Sequence, residues 1–191
     1  IFVCNHPLGG MDAMALVEEL YSVRPDMKFI VNDLLLHLPN LKGMFQGVNK
    51  VGVNSADSLK QVSQLFESDK AIFLFPAGLV SRKKNGKVKD LEWKKTFITR
   101  SRKYNIPVVP IHIEGELSTF FYRLSSLRES LGIKANIEML YLVNELYKQK
   151  GEKIKLTIGE AISSDFFNKE KTDKEWAEWM KNKTYSLVKK K

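Results

Sequence analysis

At 191 residues, 43% hydrophobic and 28% charged, the chain fits one packed domain and shows no sign of wholesale disorder. Its one cysteine, Cys4, excludes an internal disulfide and fits a reducing compartment. No apolar run approaches the roughly 20 residues of a membrane span. The formal charge of +9 leaves nucleic acid, anionic lipid headgroups and acidic carrier proteins as candidate partners.

The chain opens on Ile1-Phe2-Val3-Cys4, which reads as the middle of a strand without an initiator methionine. The expectation is an N-terminally trimmed fragment, forming one domain over residues 1–191. A Pro/Gly turn follows, then a helix whose Ala13, Leu16, Val17 and Leu20 recur at helical spacing and which Pro25 ends. Lys28 to Val31 reads as a second strand, and Ser55 as the N-cap of a helix burying Leu59, Val62 and Phe66. Ala71 to Phe75 is a continuous apolar run stopped by Pro76, as in a strand covered on both faces.

Trp93, Phe97 and Ile98 mark another helix, and Pro107 to Ile113 another buried strand, with its prolines near an edge or end where a missing N–H is tolerated. Phe120, Leu124, Leu127 and Leu131 form one helical stripe; Met139, Leu142, Val143, Leu146 and Tyr147 form a second, stopped by Gly151. Lys153 to Ile158 is a late strand. Thr172-Asp-Lys-Glu175 is a capping box opening a last helix with Trp176, Trp179 and Met180 on one face. Strands separated by helices predict an α/β fold with a largely parallel, mixed sheet flanked by helices.

Two segments carry chemistry. In Asn5-His6-Pro7-Leu8-Gly9-Gly10-Met11-Asp12 a histidine follows a strand, where α/β folds place ligands. A general base needs an imidazole titrating near neutrality and a partner that fixes its tautomer. His6 and Asp12 would not meet on a continuous helix, but Pro7, Gly9 and Gly10 permit a turn that brings the carboxylate back to the ring. The alternative makes Asp12 a helix N-cap and His6 a polar strand-end residue. The second segment, Phe75-Pro76-Ala77-Gly78-Leu79-Val80-Ser81-Arg82-Lys83-Lys84, ends a buried strand in a glycine turn from which three cations emerge. It suits a phosphate or a carrier's acidic face, or else is a solvated loop.

Lys50, after Gly47, adds a weaker cationic candidate. His37 reads as a packing residue, and His112 as a strand residue satisfied by a backbone partner. No Cys/His cluster has zinc spacing, no dinucleotide or Walker loop is present, and no nucleic-acid motif accompanies the basic charge.

Together these segments resemble the glycerolipid acyltransferase superfamily of the lysophosphatidic acid type. Its Asn-His…Asp motif is matched by Asn5-His6…Asp12. Its Phe-Pro-Glu-Gly-Thr-Arg-Ser motif is matched over Phe75 to Arg82, and its Val-Pro-Ile/Val-Val-Pro element by Ile106 to Ile111. Gly47 to Val51 resembles the second block, so the resemblance covers about residues 1–115. Two departures stand out: five residues rather than four separate His6 from Asp12, and Ala77 replaces the glutamate linked to acceptor binding. Asn5 to Gly10, Phe75 to Gly78 and Glu114 to Tyr122 are more similar to a bacterial, hemolysin-like subgroup associated with acylating ornithine or glycine lipids.

The resemblance implies a glycerol-3-phosphate acyltransferase-like fold and transfer of a fatty acyl group from acyl-CoA or acyl carrier protein to a hydroxyl or amine of a lyso-lipid. His6 would be the general base and Asp12 its partner; Asn5, Gly78, Ser81, Arg82, Lys83 and Lys50 would bind substrate. It implies no metal or redox cofactor, and a peripheral place on the cytoplasmic face of the cell membrane. The alternative function is a non-catalytic lipid-surface or acyl-binding module of the same fold. Candidate membrane contacts are the Phe120-Phe121-Tyr122 face and the Trp176/Trp179 helix; both stripes read first as core.

Overall fold

A computed structural model describes residues 1–32, 43–48 and 56–188. Six strands form one sheet: β1 (Phe2–Cys4), β2 (Lys28–Asn32), β3 (Phe45–Val48), β4 (Ile72–Leu74), β7 (Val109–Ile113) and β8 (Leu156–Ile158). Their order is β3-β2-β4-β1-β7-β8, parallel throughout except for the antiparallel edge strand β8. The largely parallel α/β expectation holds. The interior strands are short and apolar on both faces because helices cover both. Val3 and Ile72 face a cluster built with Phe66 of α2 (Ala56–Phe66), Phe97 of α3 (Thr96–Tyr104) and Trp176 of α6 (Asp173–Ser186). Their neighbours Cys4 and Phe73 face the opposite cluster, with Leu16 of α1 (Gly10–Leu20). Alternation at period two thus sorts each strand between two layers.

The α6 capping box forms as expected, with Thr172 N–H on Glu175 Oε2 at 2.8 Å and Glu175 N–H on Thr172 Oγ1 at 3.3 Å. Trp176 is buried and Trp179 partly so; that stripe is core. Pro110, expected near an edge or end, lies within β7 between β1 and β8. Its carbonyl accepts from Gly159 N–H at 2.8 Å just beyond β8, so its missing donor falls where that ladder is already ending. The Ser55 cap and the Leu59 contact fall outside the residues whose structure and side chains are described.

Past the carboxyl end of β4 the chain makes a hairpin, β5 (Arg82–Lys84) and β6 (Lys87–Lys89), turned by Asn85 and Gly86 at φ 50° and 74°. The sequence shows here only a glycine turn from which cations emerge, because the strands are too charged to show an apolar alternation. Beside it lie α4 (Thr119–Ser130), a 3-10 turn (Ile137–Tyr141) and α5 (Leu142–Lys148). A third apolar cluster, Leu8, Val80, Leu117, Phe121 and Tyr122, joins these elements to the loop after β1. A buried ion triad locks them further. Arg82 Nη2 donates to Glu138 Oε1 at 2.6 Å, and Arg128 Nε lies 2.8 Å from Glu138 Oε2. Arg82 Nη1 also donates to Val80 O at 2.5 Å.

Two outcomes are expected. Burial pushes the Cys4 thiol well above its ordinary pKa and closes it to solvent. A thiol reagent at pH 8 should therefore label the protein only as fast as it unfolds; prompt native-state labelling would contradict this packing. Glu138→Ala strands two buried guanidiniums, and denaturant melts should show a loss of about 3–5 kcal/mol. A loss below about 1 kcal/mol would mean the triad is not closed in solution.

Candidate active site

The site assembles where parallel strands end. β1 delivers Asn5 and His6, β4 delivers Phe75 and Pro76, and β7 delivers Glu114 and Gly115, all at the carboxyl edge of the sheet. Asn5 extends the sheet rather than opening toward a ligand. Its amide Nδ2–H donates to Ile113 O at 2.8 Å, and its Oδ1 accepts from Ile113 N–H at 2.7 Å. These two bonds imitate one more rung between β1 and β7, and the residue is buried. They fix the point at which the chain leaves the sheet.

From there the five-residue spacer does what the turn chemistry allows. Gly9, at φ +71°, caps α1, and Asp12 N–H donates to Gly9 O at 3.0 Å. Asp12 therefore sits in the first turn of α1 and is not its N-cap. Its carboxylate turns back to His6, where Nδ1 and Asp12 Oδ2 are 2.8 Å apart. The same carboxylate accepts from Leu8 N–H at 3.0 Å. Asp12 is completely buried, and desolvation raises its carboxyl pKa against the opposing pull of His6 and of the Leu8 N–H. The His6 side chain keeps 17% of its surface exposed.

An acceptor-only carboxylate on Nδ1 selects the tautomer with its proton on Nδ1, leaving the Nε2 lone pair to act as a base. Nε2 has no hydrogen bond among the described residues. The imidazole also stacks on Phe75, with centroids 4.3 Å apart and an interplanar angle of 29°.

A second carboxylate, unremarked in the sequence, holds the backbone of this loop. Asp90 Oδ1 accepts from His6 N–H at 3.1 Å and from Ser81 Oγ at 2.5 Å, while Oδ2 accepts from Trp93 Nε1 at 2.8 Å. Tyr185 Oη in turn accepts from Asp90 N–H at 2.8 Å, and burial raises the Tyr185 phenol pKa. Ser81 N–H donates to His6 O at 2.8 Å. Asp90 lies 84 residues from His6, and no local pattern links them.

The remaining sequence candidates are placed unequally. Gly78 occupies the turn after Pro76 at φ +66°. Ser81 is buried and committed to Asp90. Arg82, read as a cation emerging for a phosphate, turns inward instead and is buried against Glu138. Val80 and Ser81 carry the chain inward there, and Arg82 finds its counterion 56 residues on. Lys83 remains at the surface, 3.0 Å from Glu116 Oε2 and above the Tyr122 ring. Lys50 and His37 lie outside the described residues. His112, expected to satisfy a backbone partner, has a buried Nδ1 with no hydrogen-bond partner among the described residues, and burial lowers its pKa. It lines a cleft of about 310 Å³ together with Asn5, Ser81 and Tyr185.

With the motif aligned on Phe75-Pro76, Ala77 stands at the glutamate position and Val80 at the arginine position. Both are buried in apolar clusters, so the polar groups of that motif are replaced by packing.

The model of the family described as Acyltransferase matches residues 1–191. The lyso-glycine lipid O-acyltransferase of Phocaeicola vulgatus is 46% identical over 187 residues, covering 97% of this chain and 67% of that protein. The protein of the same name from Bacteroides thetaiotaomicron is 44% identical over 189 residues, covering 97% and 69%. The chain thus spans about two thirds of the length of these relatives. The crystal structure of the 1-acyl-sn-glycerophosphate (LPA) acyltransferase PlsC from Thermotoga maritima shares the fold, with a TM-score of 0.54 at 20% identity, covering 97% of this chain and 64% of that one. Matched by that family model over residues 1–191 and 46% and 44% identical to these two relatives, the chain belongs to the acyltransferase family.

Proposed function

We propose that this acyltransferase moves a fatty acyl group from an acyl thioester, acyl-CoA or acyl carrier protein, to the hydroxyl of a lyso-lipid built on an amino acid. The observation that carries the reading is the 2.8 Å contact between His6 Nδ1 and the buried Asp12. With Nδ1 held in that way, Nε2 takes the proton of the acceptor hydroxyl as its oxygen attacks the thioester carbonyl. The tetrahedral intermediate collapses, the C–S bond breaks, and the leaving thiolate recovers the proton from His6. Asp12 stabilises the imidazolium between those steps. Such a base contributes roughly 10²–10⁴ in rate. This transfer, a proton exchange and a C–S to C–O exchange, calls for no metal or redox cofactor.

The acceptor class is read from two features. The relatives are named for a lyso-glycine lipid and for O-acylation. The motif that carries glutamate and arginine elsewhere holds Ala77 and Val80 here, while Arg82 is occupied by Glu138. A phosphate dianion would lack a free guanidinium in this segment, whereas an acceptor without phosphate needs none. An enzyme using cytosolic thioesters on a membrane lipid would work at the cytoplasmic face of the cell membrane, as a peripheral protein.

The test compares thiol release from an acyl thioester with lyso-glycine lipid and with lysophosphatidic acid as acceptors. Turnover on the first, at least tenfold above the second, is expected. Preference for lysophosphatidic acid would refute the acceptor class, and lipid binding without thioester consumption would refute catalysis.

Asp12→Asn separates catalysis from folding. Its raised folded pKa stabilises the fold fully below the unfolded carboxyl value, and that contribution is lost as pH rises through the folded value. Ionising the buried group is then a net cost to folding. The asparagine variant should melt no earlier than the wild type at pH 7, yet transfer about 10²–10⁴-fold more slowly, because an amide on Nδ1 permits the wrong tautomer. Unchanged transfer in that variant would remove Asp12 from the mechanism.

A further inference from the structure

Of the Phe120-Phe121-Tyr122 face, Phe121 and Tyr122 are core, whereas Phe120 belongs to a stripe of α4 that faces outward. Phe121, Tyr122, Ser125 and Arg128 are the buried side of α4. Phe120, Leu127 and Leu131, at helical spacing on the other side, are 49%, 56% and 65% exposed. The 3-10 turn and α5 repeat the pattern: Leu140, Val143 and Tyr147, again on one face, are 84%, 63% and 72% exposed. The elements that carry the two stripes adjoin, since the rings of Phe120 and Tyr141 are 4.6 Å apart. A run of large apolar side chains across consecutive elements is a docking surface rather than scattered exposure.

We propose that this α4–α5 face docks on an anionic lipid surface, its apolar side chains entering the interface and its basic surround meeting the headgroups. Charge decides the occupant. Arg123 and Lys134 are exposed in the same segment, and Lys84 and Lys87 are exposed on the hairpin beside α4. Lys148 lies over the Tyr141 ring. The acidic neighbours are already engaged: Glu138 in the buried triad, Glu129 near Arg128 and Lys84, and Glu145 with Ser118 and Lys148. On a chain of net charge +9, such a border is attracted to anionic lipid and repelled by a second copy of itself. No helix among the described residues is long and apolar enough to cross a membrane, so this docking is interfacial.

The inner side of the same unit touches the His6 loop. Leu142 lies so close to Gly9 that a Cβ there would be 3.3 Å from its Cδ1. A membrane seated on α4–α5 therefore lies one helix thickness from the catalytic turn, close enough for a lyso-lipid to reach the base without leaving the interface. This use of the surface rests on the lyso-lipid reading; the docking measurement itself needs no turnover.

The test is sedimentation of the protein with mixed phosphatidylcholine and phosphatidylglycerol vesicles, and with phosphatidylcholine vesicles alone. The wild type should partition to the mixed vesicles more strongly, and less so as salt rises. The triple variant Leu127→Gln, Leu140→Gln, Val143→Gln changes only exposed side chains and should keep its fold by circular dichroism. Its partition should fall on the order of a hundredfold or more. Val23→Gln, at an exposed apolar residue far along the chain, should change nothing. Acylation of a vesicle-borne acceptor should fall with the triple variant, while acylation of a monomeric short-chain acceptor should not. Triple-variant binding equal to wild type overturns the proposal. So does a wild-type dimer that the same substitutions dissolve, which would give the face to a second copy. Vesicle binding that behaves as expected without acyl transfer to either acceptor would instead refute the function proposed above.

Discussion

The geometry of the site depends on one buried acceptor, the Asp12 carboxylate, being held in contact with the His6 ring. A fully buried carboxylate needs its lone pairs satisfied, and the loop supplies them locally through His6 Nδ1 and the Leu8 N–H. That requirement shapes the whole segment. Gly9 takes a positive φ, Asn5 stands in for a backbone rung, and α1 begins where its first turn carries the carboxylate back to the ring. The five residues between histidine and aspartate close in this turn with the contact made.

Around that pair the protein builds two supports of different character. On one side, Asp90 gathers the His6 N–H, Ser81, Trp93 and Tyr185, fixing the His6 loop with four hydrogen bonds to a single residue. On the other, the Arg82–Glu138–Arg128 triad and the Leu8–Val80–Phe121 cluster clamp the hairpin and α4 over the loop. A buried ion triad is a costly way to gain stability, and this one joins the hairpin, α4 and the 3-10 turn. The outer surface of that clamp is the apolar, basic-bordered face that the lipid-docking proposal uses.

Much of the architecture is legible from the sequence because it rests on local patterns: apolar strands between amphipathic helices, the Thr172–Glu175 capping box, and the histidine placed just past a strand. The elements that escape it depend on long-range partners. Arg82 reads as a surface cation because its counterion, Glu138, lies in a turn that no periodicity announces. Asp90 is an unremarkable acidic residue until the fold brings Ser81, Trp93 and His6 to it. The β5–β6 hairpin hides behind its lysines. Helical spacing shows that Phe120, Leu127 and Leu131 share a face, but only the packing of α4 shows which way that face looks.

The central claim, that Asp12 presets His6 as a base, is most directly tested by the nitrogen chemical shifts of the His6 imidazole in the resting protein near neutral pH. The account predicts that the neutral form of the ring carries its proton on Nδ1, with that signature altered in Asp12→Asn. A resting ring carrying its proton on Nε2, or one indifferent to the residue at position 12, would contradict it.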